Sequence, residues 1–279
     1  MKSQEQRELE LTQKLQDWCQ GDCVVGAQQF VYAFDPKFRI TEASEKVDEQ
    51  DPAPYVGEDV EGFVILTQTC DIVRPVRARP FIEVAPLVKK DPSDIKQIAK
   101  GMRPQFAIVP GVSDSGLVAD LDRTMSLEKP ILESWDKVKG CRDDNEKRRF
   151  ANALSRKRAR TAFPNDFVEL IKPLQEKCRK KHGNDSPLGR TLEALSEIRV
   201  LSFPHWEGDQ PTQVKFLFLF LPKFEKTKRC GADIEIKALI ELIPASKKYQ
   251  IDYTTGFHSE MSAAEYIASD LLDLDYLSE

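Results

Sequence analysis

Long apolar runs are missing from this chain. The most hydrophobic stretch, residues 214–221, is interrupted by Lys215 and falls far short of the roughly 20 residues a membrane-spanning helix needs, so no membrane partner is expected. The opening segment MKSQEQRELELTQKL lacks the apolar core of an export signal, and a cytoplasmic protein is expected. Histidine is scarce, and His182, His205 and His258 lie far apart. A structural zinc site wants two close pairs of Cys or His ligands, whereas Cys19 and Cys23 in CQGDC form the only close pair, so no zinc centre is expected. The other cysteines (Cys70, Cys141, Cys178, Cys230) are scattered, a pattern of reduced thiols and not of a disulfide framework. Neither a GxGxxG element nor a Walker loop occurs, and no cofactor is expected.

What is present suffices for a folded core. Of 279 residues, 41% are hydrophobic, which excludes global disorder and allows one large or two modest domains. Residues 4–19 set Leu9, Leu11, Leu15, Trp18 and Cys19 near helical spacing, so an amphipathic helix is expected, with a stripe that must dock on something. Strand formers punctuated by Pro, Gly or charge predict strands over 21–38, 62–73, 80–88, 105–109 and 116–121, with a loop over 41–59 and a short helix over 91–100. Helical patterning takes over from residue 130, dominates 145–181 and breaks near Pro164. Strands return over 197–203, 213–221 and 233–243, with 204–212 as a hairpin turn. A Ser-x-x-Glu start at Ser262 caps a terminal helix. The expected fold is α+β in three parts. Residues 1–135 carry the first helix and a small SH3-like β-barrel or bent antiparallel sheet, 136–195 a basic helical insertion, and 196–279 a C-terminal sheet and helix.

Charge is unevenly spread. Residues 147–181 hold twelve basic and three acidic side chains, a local net of +9, which leaves −14 for the rest of a chain whose total is −5. Arg148, Arg149, Arg156, Arg158 and Arg160 supply planar guanidinium groups suited to bidentate phosphate contacts. Steps of seven and four residues put Arg149, Arg156 and Arg160 on about one helix face, a stripe that would track a nucleic-acid backbone. The alternative is a solvated face whose arginines pair with the acidic remainder. The excess of positive charge favours nucleic acid as the partner, and a non-enzymatic adaptor that docks other proteins is the competing class.

Chemistry could also sit in TQTCDIVR, where Cys70 and Asp71 mark the expected exit of a buried strand. A thiol beside Arg74, Arg77 and Arg79 could be activated. Without a histidine nearby in sequence, Cys70 reads better as a small buried hydrophobe and Asp71 as the better catalytic candidate. Glu235-x-Lys237, sharing a strand face downstream of Glu207 or Asp209, would match a PD-(D/E)xK nuclease site in which the acids, Asp209 and Glu235, hold Mg²⁺ and the lysine helps activate water. The same alternation describes any half-buried antiparallel strand. Phe216, Phe218 and Phe220 read as core, and Trp206, in the turn beside His205, reads as a base-stacking platform.

GFVILTQTC, PFIEVAPLV and LVADLDRTMSLEK, within residues 60–135, resemble the strand order and the Asp-x-x-Arg-Thr segment of PemK/MazF-like toxin barrels, which are ribonucleases. Those toxins are much shorter and carry a Pro-Arg-Pro element that only Ala78-Arg79-Pro80 approximates here. The resemblance implies phosphate-contacting or acid–base roles for Arg79 and Thr124. It also implies a ribonuclease of a bacterial toxin or phage-defence setting, with Asp71 and Arg79 at the barrel mouth.

Overall fold

The computed structural model describes residues 4–48, 54–99, 103–159, 162–206, 211–224 and 229–272. The chain forms two compact units, 1–159 and 160–279. The boundary between these units falls inside the expected basic part, 136–195, and cuts the basic segment itself. Of its charge, six basic and no acidic residues (147–159) stay with the first unit, and six basic with three acidic residues (160–181) go to the second.

The first unit runs α1 (Gln4–Leu15), β1 (Cys23–Ala33), α2 (Glu42–Glu45), β2 (Tyr55–Ile65), α3 (Thr69–Ile72), β3 (Phe81–Lys89), α4 (Pro92–Ala99), β4 (Phe106–Ile108), α5 (Pro110–Ser113), β5 (Leu117–Asp120), β6 (Met125–Glu128), a 3-10 turn (Lys129–Glu133), β7 (Lys137–Val138) and α6 (Asp144–Arg158). Its seven strands make one antiparallel sheet in the order β4-β5-β3-β2-β1-β7, with β6 also paired to β3, and the sheet curls into a half-barrel. The curl centres on β3, which pairs β6 through residues 81–84, β2 through 84–86 and β5 through 87–89.

Both faces of this sheet are covered, which is why GFVIL is a continuous apolar run and not an alternating one. Phe63 and Ile65 pack with Leu11, Leu15 and Trp18 on one face, while Val64 and Leu66 pack with Phe150 and Leu154 of α6 on the other. The N-terminal helix thus docks through Leu11 and Leu15, but it ends at Leu15 and not at 19, so Trp18 packs from the segment after it, and Leu9 is turned to solvent, 62% exposed. Gly62 is obligatory: at φ +146 its position is closed to a side chain, since a Cβ would lie 2.2 Å from the Val24 carbonyl oxygen. That close approach adjoins a bulge in β1 between Val25 and Gln28. Two expectations shift here. The loop at 41–59 contains α2 and the start of β2, and the strand expected over 62–73 ends at Ile65, so Cys70 and Asp71 sit in α3.

The second unit contains α7 (Asn165–Lys181), α8 (Pro187–Ala194), β8 (Leu195–Phe203), β9 (Thr212–Phe220), α9 (Arg229–Ile240), β10 (Tyr249–Phe257), a 3-10 turn (His258–Glu260), α10 (Ala263–Ala268) and β11 (Asp270–Leu271). Its sheet has the order β10-β9-β8-β11, with β10 parallel to β9 and the other pairs antiparallel. Phe216, Phe218 and Phe220 are fully buried and meet Phe167 and Ile171 of α7 and Ala232 and Ile236 of α9. The capped helix at Ser262 forms, with Ser262 and Glu265 completing the capping box, but it ends at Ala268.

The strand expected over 233–243 is helical. DIEIKALIELI alternates, yet Ala232, Ile236 and Leu239 also recur at helical spacing, and these are the residues buried. Burial of that stripe, together with the helix preference of Glu, Lys, Ala and Leu, decides the outcome. Among the described residues no helix is long and apolar enough to cross a membrane.

Phe167 is the hub of the second core, with ring centroids of Phe163, Trp206 and Tyr249 at 5.7, 4.7 and 5.4 Å. Phe167→Ala should lower the unfolding free energy by about 3–5 kcal/mol in urea titration; a loss under about 1 kcal/mol would contradict this packing.

Candidate functional site

The segment after β2 is built on polar anchors. Thr67 Oγ1 accepts the Glu83 amide at 2.6 Å, Gln20 Nε2 donates to the Leu66 carbonyl at 2.7 Å, and the Gln20 amide donates to Thr69 Oγ1 at 3.0 Å. Beneath α3 lies Lys129, fully buried, whose Nζ donates to the carbonyls of Asp71 at 2.7 Å and Arg74 at 3.1 Å. Those carbonyls lie at and just past the C-terminal end of the α3 turn, where a cation is favoured, and the Asp71 carbonyl also accepts the Arg74 amide at 3.4 Å. Burial lowers the Lys129 pKa; the nearby Asp71 charge opposes this and Arg79 adds to it. The lysine thereby fixes a loop that presents Cys70, Arg74 and Arg79 to solvent and leaves Asp71 half-exposed. Arg77, in the same loop, is held by Glu8 of α1 through Nε at 2.9 Å and a second nitrogen at 2.6 Å.

The basic helix meets this loop through Glu83. Arg158, at the end of α6, pairs with the Glu83 carboxylate, and Glu83 also gives its amide to Thr67. One residue earlier Lys157 pairs with Asp122. Arg123 beside it bridges Asp120 at 2.8 Å and Glu58 at 2.9 Å. The last turn of α6 and the TQTC loop therefore both meet β3 at Glu83.

The residues singled out from sequence fare differently. Asp71 and Arg79 do gather, around Lys129, and Asp71 also lies 3.9 Å from Arg74. Cys70 is exposed and not buried, with its Sγ 3.7 Å from Gln68 Oε1. Burial does raise the thiols of Cys23, Cys141 (to about 11) and Cys178 (to about 12), which leaves these protonated and inert.

Arg79 and Thr124 are not brought together. Arg79 lies before the Phe81–Glu128 pair at one end of the β3–β6 ladder, and Thr124 lies beyond the Val84–Met125 pair at the other. At about 3.4 Å per residue the ladder alone separates them by on the order of 10 Å. The acid–base pair implied by the toxin resemblance is thus not formed.

The arginine stripe is also corrected. Among the described residues α6 ends at Arg158, and Arg160 lies outside the described residues. With Phe150 and Leu154 facing the core, about 100° per residue puts Arg149 and Arg156 on one flank, Arg148 on the outer side and Arg158 on the opposite flank. Arg156 is half-buried; Arg148 and Arg149 are exposed and, among the described residues, have no carboxylate at ion-pair distance.

In the second unit Trp206 packs into the aromatic core, 4.7 Å from Phe167 and 5.4 Å from Phe163, and does not form a base platform. Glu235 and Lys237 lie in α9, where a two-residue step points to nearly opposite sides, and Lys237 pairs instead with Glu241 at 3.9 Å. The arrangement required for a PD-(D/E)xK metal site is therefore absent from this helix, while Glu207 and Asp209 lie outside the described residues. Among the described residues no group of three or more His, Cys, Asp or Glu could hold a metal ion. Sequence reading missed Lys129. Its one signal was a lysine ending the alternation MSLEK directly before Pro130.

Lys129→Met keeps the apolar stem and removes the donor, which takes the ammonium from the Arg74 carbonyl and leaves the Asp71 carbonyl with backbone donors alone. The expected loss is about 1–3 kcal/mol, with faster tryptic cleavage after Arg77. Because burial lowers its pKa in the fold, the unfolded chain binds this proton more tightly. The wild type should therefore gain stability from this group as pH rises from the lowered pKa to 10.5, and the variant should lack that gain. Equal stability of the two proteins across this range would contradict the assignment. Comparison of the chain with family models, with curated proteins and with solved structures gave no match.

Proposed function

We propose that the half-barrel unit binds nucleic acid through its phosphate backbone, with α6 as the principal contact. The observation that carries the reading is the 147–159 segment, six basic residues without an acidic one, in which Arg148 and Arg149 are exposed and have no carboxylate at ion-pair distance among the described residues. Lys157 and Arg158, by contrast, are engaged with Asp122 and Glu83 and serve the fold. Guanidinium groups left in solvent on a stretch of helix, 147–158, that follows the acidic first turn and carries no carboxylate itself suit bidentate phosphate contact. Arg74 and Arg79 extend the positive surface on the neighbouring loop, Arg79 being exposed and Arg74 lying 3.9 Å from Asp71.

This reading is of binding and assigns no cleavage step: the β3–β6 ladder holds Arg79 and Thr124 apart, while Asp71 and Arg79 gather around Lys129. Binding of this kind depends on counterion release, so affinity falls linearly in log–log form as salt rises. In gel-shift titrations with single- and double-stranded oligonucleotides, the double variant Arg148→Ala/Arg149→Ala should bind more weakly and reduce that slope by about 2, near one unit per lost phosphate contact. No shift at low salt for the wild type, or an unchanged slope for the variant, would reject nucleic acid and favour a protein-docking role.

A further inference from the structure

A second site lies on the face of the half-barrel covered by α1. Phe63, Met125, Leu127, Ile131 and Trp135 line a cleft of about 400 Å³, with Gln28, Gln29 and Asp59 at its rim. The indole of Trp135 stacks on Phe63, centroids 5.9 Å apart and 22° from parallel, and is braced edge-on by Trp18 at 6.4 Å. Met125, Leu127, Ile131 and Trp135 are only half-buried, unlike the fully buried strand residues around them. The β1 bulge between Val25 and Gln28 sets Ala27 and Gln28 on the lip, and bulges recur beside binding sites because they re-aim side chains. A flat aromatic floor, an apolar wall and a few polar groups at one edge are the make-up of a small planar-ligand pocket.

The rim selects the ligand. Asp59 faces Gln29 across the β1–β2 ladder, and its Oδ1 accepts from Gln29 Nε2. Among the described residues Oδ2 has no hydrogen-bond partner. An ionised carboxylate accepts on both oxygens, and each oxygen takes more than one donor. Of the standard bases, guanine alone offers two adjacent donors on one edge, N1–H and the N2 amino group. Adenine and cytosine place an acceptor beside their amino group, and uracil places its single donor between two acceptors. We propose that this cleft binds an unpaired guanine base, stacked against the half-buried Trp135 indole that the buried Phe63 supports, with its Watson–Crick edge on Asp59.

Guanine could come from a free nucleotide or from a single strand. The strand arm rests on the phosphate-binding reading above and the nucleotide arm does not, so the two failures are separable. Calorimetric titration of the full chain should show GMP binding in preference to IMP, which lacks the N2 amino group, and to AMP, CMP and UMP. A tetranucleotide with one guanine should likewise bind better than its adenine counterpart if a strand is the source. Asp59→Asn reverses one donor–acceptor match at an exposed position, so its thermal midpoint should be unchanged while guanine binding weakens at least about tenfold, the scale of one bidentate base contact. A guanine preference in either arm that Asp59→Asn removes supports the proposal and names the source. Equal affinity for all bases in both arms, no binding in either, or a preference that survives Asp59→Asn overturns it.

Discussion

Phe150 and Leu154 hold α6 against the half-barrel, and that apolar contact decides where every basic side chain of the helix points. Phe150 is 2% exposed, and full burial of a side chain of that size contributes about 1.5–3 kcal/mol. The ion pairs of Lys157 and Arg158 are partly exposed and individually worth no more than about 1 kcal/mol. They follow from the docked orientation more than they cause it. Once the apolar stripe is fixed, one flank of the helix is carried onto Glu83 and Asp122, and the outer side, with Arg148, is left to water. The split between structural and available cations is thus a geometric result of amphipathicity.

A related constraint governs the loops of this unit. Among the described residues two charged groups are buried there, Asp22 and Lys129, and each ties a connection to the sheet. Asp22, whose pKa burial raises, accepts the amides of Cys19 at 2.9 Å and Gly140 at 3.4 Å, fastening the entry to β1 against the segment after β7. Lys129 does the converse job with carbonyls, supporting the α3 turn and the arginine-bearing segment that follows. Burying a charge is tolerated only when its hydrogen bonds are met by the fold, so both sites must stay tightly ordered. A surface loop with several like charges acquires a defined shape in this way.

Much of the first unit was legible in the chain. The alternation and punctuation between residues 62 and 121 announce a bent antiparallel sheet, and Leu11, Leu15 and Trp18 announce a helix that packs on it. The end of β2 at Ile65 was not legible, because TQTCDIV is compatible with both a strand and a helical turn. The buried Lys129 that favours the turn is distant in sequence. In the second unit DIEIKALIELI satisfies both periods, and packing of Ile236 with partners such as Phe218 and Ile171, added to helix preference, selects the helical one. Parallel β10, with YQIDYTTGF, had no local signal stronger than its neighbours. The guanidinium groups were visible as a charge excess, but their division between two units and among three sides of α6 depends on tertiary contacts. The aromatic cleft could not be read at all, since Phe63, Met125 and Trp135 meet only after the sheet curls.

The central claim is that tertiary packing sorts the arginines of α6 into those that hold the fold and those left for phosphate. Arginine side-chain NMR, following the Nε–Hε resonances while a short single-stranded oligonucleotide is added, reads that division residue by residue. Arg148 and Arg149 should move and saturate together at low salt and return to their free positions as salt is raised, while Arg158, occupied by Glu83, stays in place. Movement of Arg158 with the others, or stationary resonances for Arg148 and Arg149, would contradict the account.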